Sequence, residues 1–147
     1  MDVRNAWEIR RDVGMSRHGG EGKIENWHLF ESEDWDSNLT IIGYYAIPPG
    51  ATIAVHPHIH EEKLYIVLEG KGIITVNDQE REVVPGDAIP LKAGGSHGIR
   101  NHTDEELLIF VVECKMTREA KLESEKVPVA LRGATDEVVA AANAAKQ

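Results

Sequence analysis

From Ile24 to Glu113 the chain is a succession of short apolar or alternating runs, each closed by Gly, Pro, Asn or Asp. The runs are KIENWHLF, LTIIGYYAI, ATIAVHP, LYIVLEG, GIITV, REVV, DAIPL, HGIRN and ELLIFVVE. Short strands recurring every eight to twelve residues or so, with turn punctuation between them, specify an all-β sandwich or barrel. GIITVNDQEREVV reads as a hairpin, because Asn77 and Asp78 tolerate the positive φ of a tight turn. VVPGDA and IPPGA are turn signals of the same kind.

The flanks have a different character. Residues 1–23 read as a polar arm ending in the loop sequence RHGGEGK. After Cys114 the strand rhythm stops. KMTREAKLESEKVP is charged and reads as a loop with some helix. TDEVVAAANAAK offers Thr135 or Asp136 as N-cap, acids in its first turn and a lysine near its end, the signature of a short helix. Such a helix is too short to stand alone and needs a surface to pack on. The expected organisation is an arm over 1–23, a barrel over 24–114, and a loop and short helix over 115–147. A chain of 147 residues suits one domain with a real core.

The 25 acidic residues outnumber the 16 basic ones, giving a formal net charge of −9. An acidic surface repels phosphate backbones and anionic lipid, so neither nucleic acid nor a membrane is expected as a partner. MDVRNAWEIRRDVG lacks the apolar block of a signal peptide, and no apolar run is long enough to span a bilayer. A cytoplasmic location is the expectation. The single cysteine, Cys114, leaves no internal disulfide; it ends an apolar strand and reads as a small core residue.

Candidate chemistry concentrates in GATIAVHPHIHEEKLYIVLEGKG, where His56, His58 and His60 occupy alternate positions. Alternate residues of a strand share a face, about 6–7 Å apart along the backbone, so these imidazoles can converge on one ion. AGGSHGIRNH supplies a further histidine, His97, at the start of another strand. His18 and His28 have no evident partner and His102 sits in a turn; all three read as surface or packing residues. Trp7, Trp27 and Trp35 read as core or subunit-contact residues. Gly94 and Gly95 read as turn-formers.

On these residues the chain resembles the cupin superfamily. Gly50 is followed by five residues, then His56-Pro57-His58, then acids, then Gly70; Gly86-Asp87 leads to Ala93-Gly94, then His97, then Asn101. Both motifs stand in order and at the family's spacing, and the resemblance covers roughly residues 24–113. It implies a double-stranded β-helix, the jelly-roll barrel. It also implies one divalent transition metal at the barrel mouth (Zn, Mn, Fe or Ni) and a homodimer. The arm residues Trp7 and Ile9 are placed to add to a neighbour's sheet edge and so to cover it.

Two positions depart from the family pattern. Lys63 stands where the family puts its liganding Glu, and Lys92 where a proline is expected. An ammonium cannot ligate a metal. Three solutions are open: Glu62, if a bulge shifts the strand by one residue; His60, as a fourth imidazole; or three histidines completed by water. The expected ligands are His56, His58 and His97, with Glu62 taken ahead of His60 for the fourth place.

The resemblance implies a metal-dependent enzyme acting on a small oxygenated organic molecule, through dioxygenase, isomerase, lyase or polyketide-cyclase chemistry. Lys63 is the candidate catalytic residue, donating a proton to an oxyanion or holding a carboxylate; the plainer account is a lysine snorkelling to the surface. Tyr65 and Val67 share its face and are expected to line the substrate pocket, though core packing explains them equally simply. The alternative is a non-catalytic barrel that binds a small ligand and has lost or does not need the metal.

Overall fold

The computed structural model describes residues 1–14 and 18–126. All nine apolar runs become strands, and a two-residue strand in the arm precedes them. In chain order the strands are β1 (Asp12–Val13), β2 (Glu25–Glu31), β3 (Leu39–Ile47), β4 (Thr52–Pro57), β5 (Glu61–Glu69), β6 (Gly72–Val76), β7 (Gln79–Val83), β8 (Ala88–Leu91), β9 (Ser96–Arg100) and β10 (Leu107–Lys115). They form a six-stranded sheet in the order β1-β2-β3-β10-β5-β8 and a four-stranded sheet in the order β4-β9-β6-β7. Every pairing is antiparallel. This is the jelly-roll barrel.

The alternation of each strand decides what faces the interior. In β3, Tyr45 and Ile47 are buried while Tyr44 lies outside; in β10, Leu107, Ile109 and Val111 are buried. Tyr65 and Val67 of β5 join the same core. The β6–β7 hairpin closes through Asn77 (φ 47°) and Asp78 (φ 66°), so both central residues take the left-handed conformation that matches strand twist.

Sheet edges are protected. Four of the five residues of the edge strand β7, Gln79 to Glu82, are exposed and mostly charged, and the edge strand β8 carries Pro90. The arm covers the remaining edge of the larger sheet. β1 pairs with β2 of its own chain, and Trp7 lies against Trp27 and Tyr44 at ring distances of 6.3 and 5.6 Å. The arm thus adds to its own sheet, where sequence reasoning had it reach a neighbour's. Beyond β10, Arg118–Glu125 form helix α1, the helical part of the charged stretch. It is pinned by buried Lys121, whose Nζ donates to the Trp35 and Ser37 carbonyls at 2.5 and 2.6 Å. The helix expected at Thr135–Lys146 lies outside the described residues.

Asn101, the last residue of the second motif, ties three segments together. Its side-chain amide donates to the Ile47 and Glu105 carbonyls, and its Oδ1 accepts from the Thr103 backbone. Its role is structural.

Candidate metal centre

His56 is aimed inward by a bulge. Alternation alone would put Ile53 and His56 on opposite faces, because they are three residues apart, yet both are buried. Between Ile53 and His56 the pairing of β4 with β9 slips by one residue. The extra residue turns the strand over and returns His56 to the interior. Gly98 makes this possible: a Cβ there would stand 2.7 Å from Val55 N and 2.8 Å from Ile53 O. His97 is the direct cross-strand partner of His56. His58, just past β4, is fixed by its own backbone, which donates to the Gly95 carbonyl and accepts from Gly94 N.

The three rings converge. His56, His58 and His97 each offer a ring nitrogen within 4.8 Å of the others, and all three residues are buried. His56 Nδ1 lies 2.8 Å from the Ala54 carbonyl, which accepts only if that nitrogen carries the proton. His56 Nε2 then presents a lone pair, 2.8 Å from His58 Nε2. On its far side, His58 Nδ1 lies 3.2 Å from Glu61 Oε1, close enough to pair but off the line of a hydrogen bond. His97 Nε2 is buried with no hydrogen-bond partner. Burial drives the His58 pKa down to about 4 and that of His97 to about 2, with Lys63 and the neighbouring histidines adding to the effect. Neutral imidazoles with converging lone pairs are a donor set for a divalent transition metal. Two ligands at about 2.1 Å from one ion stand about 3 Å apart when at right angles. The residues present fit the ion.

The fourth position resolves differently from either favoured candidate. From Glu61 to Val67 the register of β5 against β10 is regular, so no bulge turns Glu62 inward. Glu62 pairs opposite Cys114 and is exposed, and His60 is exposed as well. Neither meets the three imidazoles. Lys63 does point inward, with a side chain only 8% exposed, so it does not snorkel to the surface. Its Nζ lies 3.1 Å from Glu113 and 3.4 Å from Glu61. Lys115 contacts both carboxylates in turn, and Thr40 Oγ1 donates to Glu113 at 2.8 Å. Burial opposes each charge, but the partners outweigh it. Lys63 is held well above the usual lysine value by Glu113, and Glu113 well below the usual carboxylate value by Lys63 and Lys115. Two lysines and two glutamates cancel.

Tyr65 and Val67 are buried in the core, and the Tyr65 ring meets His97 edge-on at 5.7 Å. Beside His97 lies a cavity of about 330 Å³, lined by Val76, Asn77, Leu91, Lys92 and Ser96 among others. His18 has a partner after all: its ring stacks on His56 at 3.4 Å. The arm is clamped there by Thr52, which exchanges hydrogen bonds with the Glu21 backbone. His28 pairs with Glu31 and His102 with Glu82. Cys114 is half-buried.

Sequence reasoning missed Glu61, Glu113 and His18. Glu61 was legible, since it shares the parity of Lys63, Tyr65 and Val67. Glu113 continues the buried alternation of Leu107, Ile109 and Val111, so its inward face was legible too, though its partner was not. Nothing in the sequence connects the arm to His56.

A small antiparallel barrel with three buried imidazoles converging inside it is a jelly roll with a candidate metal site. The chain belongs to the cupin family. The family model described as a cupin domain matches residues 43–113. Over 114 residues the chain is 30% identical to an oxalate-binding protein of Thermotoga maritima, covering 76% of this chain and 93% of that one. It is 33% identical over 111 residues to a beta-D-galactosidase of Mycobacterium tuberculosis, covering 76% and 91%. Among solved structures, one described as a predicted oxalate decarboxylase from Thermotoga maritima superposes with a TM-score of 0.74 at 28% identity, covering 78% of this chain and 99% of that one. The polyketide cyclase RemF from Streptomyces resistomycificus shares the fold, with a TM-score of 0.66 at 20% identity and 80% coverage of each chain.

Proposed function

We propose that the chain is a metal-dependent cupin enzyme acting on a small, carboxylate-bearing organic molecule at His56, His58 and His97. The observation that carries this reading is the convergence of three neutral, buried imidazole nitrogens on one point. A bound divalent ion would supply Lewis-acid chemistry there, polarising an oxygen of the bound molecule. Three imidazoles bring no negative charge, and the four charged side chains beside them sum to zero. The charge of the ion is therefore left to be met by an anion. The names of the Thermotoga maritima relatives point to oxalate as the first molecule to try.

Lys63 is the residue we assign to the reacting face. Its charge is felt at His58 and His97. Its ammonium sits among Glu113, Glu61, Tyr45 and Tyr65, and an oxygen of the bound molecule would join that set. Because its partners hold it protonated, it holds an anion rather than donating a proton. A second reading, a binder without turnover, is favoured by that same commitment of Lys63 and by the name of the oxalate-binding relative.

The test is metal analysis of the purified protein, followed by titration with oxalate. Stoichiometric metal, absent from a His56→Ala, His58→Ala double variant, together with metal-dependent oxalate binding, is the expected result. A metal-free protein whose ligand binding is undiminished would end the metal reading. Carbon-13 NMR of labelled oxalate then separates enzyme from binder: new resonances mean turnover, and an unchanged spectrum supports the second reading.

A further inference from the structure

The carboxylate nearest the three imidazoles is not placed to ligate. Glu61 Oε1 lies 3.2 Å from His58 Nδ1, at ion-pair distance though off the line of a hydrogen bond, and 3.4 Å from Lys63 Nζ, and its Oε2 contacts Lys115 Nζ. Both oxygens are engaged. They also lie on the Nδ1 side of the His58 ring, whereas the lone pair shared toward His56 is on Nε2. To reach an ion at Nε2, Glu61 would have to pass the ring and abandon two lysines.

We propose that Glu61 acts through His58, as a positioning residue that holds its Nδ1 protonated and its Nε2 turned to the metal. A neutral imidazole has one proton to place between two nitrogens, and a carboxylate beside one of them favours the proton there and leaves the other as the ligand. His56 receives the same instruction from the Ala54 carbonyl. Glu61 differs in being charged and in being held by two cations that face it from β5 and β10. The lysine at the family's ligand position thereby gains a use. Lys63 draws the neighbouring carboxylate onto the back of a ligand ring, so a direct bond to the metal is replaced by support for an imidazole.

This inference rests on the metal reading above, and cobalt(II) titration separates the two. Metal-stripped wild type, Glu61→Gln and Glu61→Ala are titrated with Co(II), and the visible absorption of each is recorded at saturation. Glu61→Ala is expected to weaken Co(II) affinity by about 10–100-fold, and Glu61→Gln, which keeps an acceptor oxygen, by less. The absorption envelope should be the same in all three, because the ligands are unchanged. A Glu61→Ala affinity within about twofold of wild type, or an envelope altered by Glu61→Gln, overturns the proposal; the second result would make Glu61 a ligand. If Glu61→Ala does not fold, as circular dichroism would show, Glu61→Gln decides alone. Wild type that takes up no Co(II) overturns the metal reading, and this inference falls with it.

Discussion

At the scale of single residues, the balance at Lys63 is the most exposed to test. Its ammonium is buried against Glu113 and Glu61, and removing it leaves two carboxylates facing each other with Lys115 alone to answer both. Stripping one partner from a buried pair typically costs about 3–5 kcal/mol, because the remaining charge is uncompensated. Lys63→Met should therefore lower the unfolding free energy by about that amount in urea titration at neutral pH. The folded variant should still bind metal, since Lys63 ligates nothing, but with lower affinity, because Glu61 behind His58 keeps only Lys115 to hold it. A loss under about 1 kcal/mol would mean that water reaches this network, as it does exposed ion pairs.

At the scale of elements, the β4 bulge is what delivers His56 to the interior, and Gly98 on β9 is the residue that permits it. A Cβ at Gly98 meets backbone at 2.7 and 2.8 Å, which no side-chain rotation relieves. Gly98→Ala should cost about 1–3 kcal/mol, the usual range for overpacking, read as a lower midpoint in chemical unfolding. It should also reduce metal loading, because His56 and His97 are paired one residue away. Wild-type stability and loading in that variant would show that the two strands can separate there without consequence. The arm is the second element with a bearing on the site. Thr52 binds it at Glu21, and it carries His18 onto the His56 ring.

At the scale of the whole molecule, the buried ionisable groups give one pH dependence. Glu61 and Glu113 titrate below the usual carboxylate value in the folded chain, so their stabilisation is complete above about pH 4.5 and drains away as pH falls below it. His58 and His97 are also depressed, to about 4 and about 2, against 6.5 in the unfolded chain. Below pH 6.5 the unfolded chain binds protons that the folded one refuses, which again favours unfolding. Both effects have the same sign. The thermal midpoint of the metal-free protein should fall steadily from pH 7 to pH 4 in calorimetry; a flat profile would contradict the burial of these groups. The sequence by itself determined the strand rhythm, the hairpin at Asn77-Asp78 and the three imidazoles, because alternation, turn preference and ligand chemistry are properties of neighbouring residues. It did not determine which way His56 points, which acid answers Lys63, or that His18 comes back to the barrel mouth. A one-residue slip between β4 and β9 inverts a face, and Lys115 meets Glu61 across 54 residues of chain. Such contacts are fixed only when all the strands settle on one register around a shared core, a condition that the whole tertiary structure imposes and that no local stretch contains.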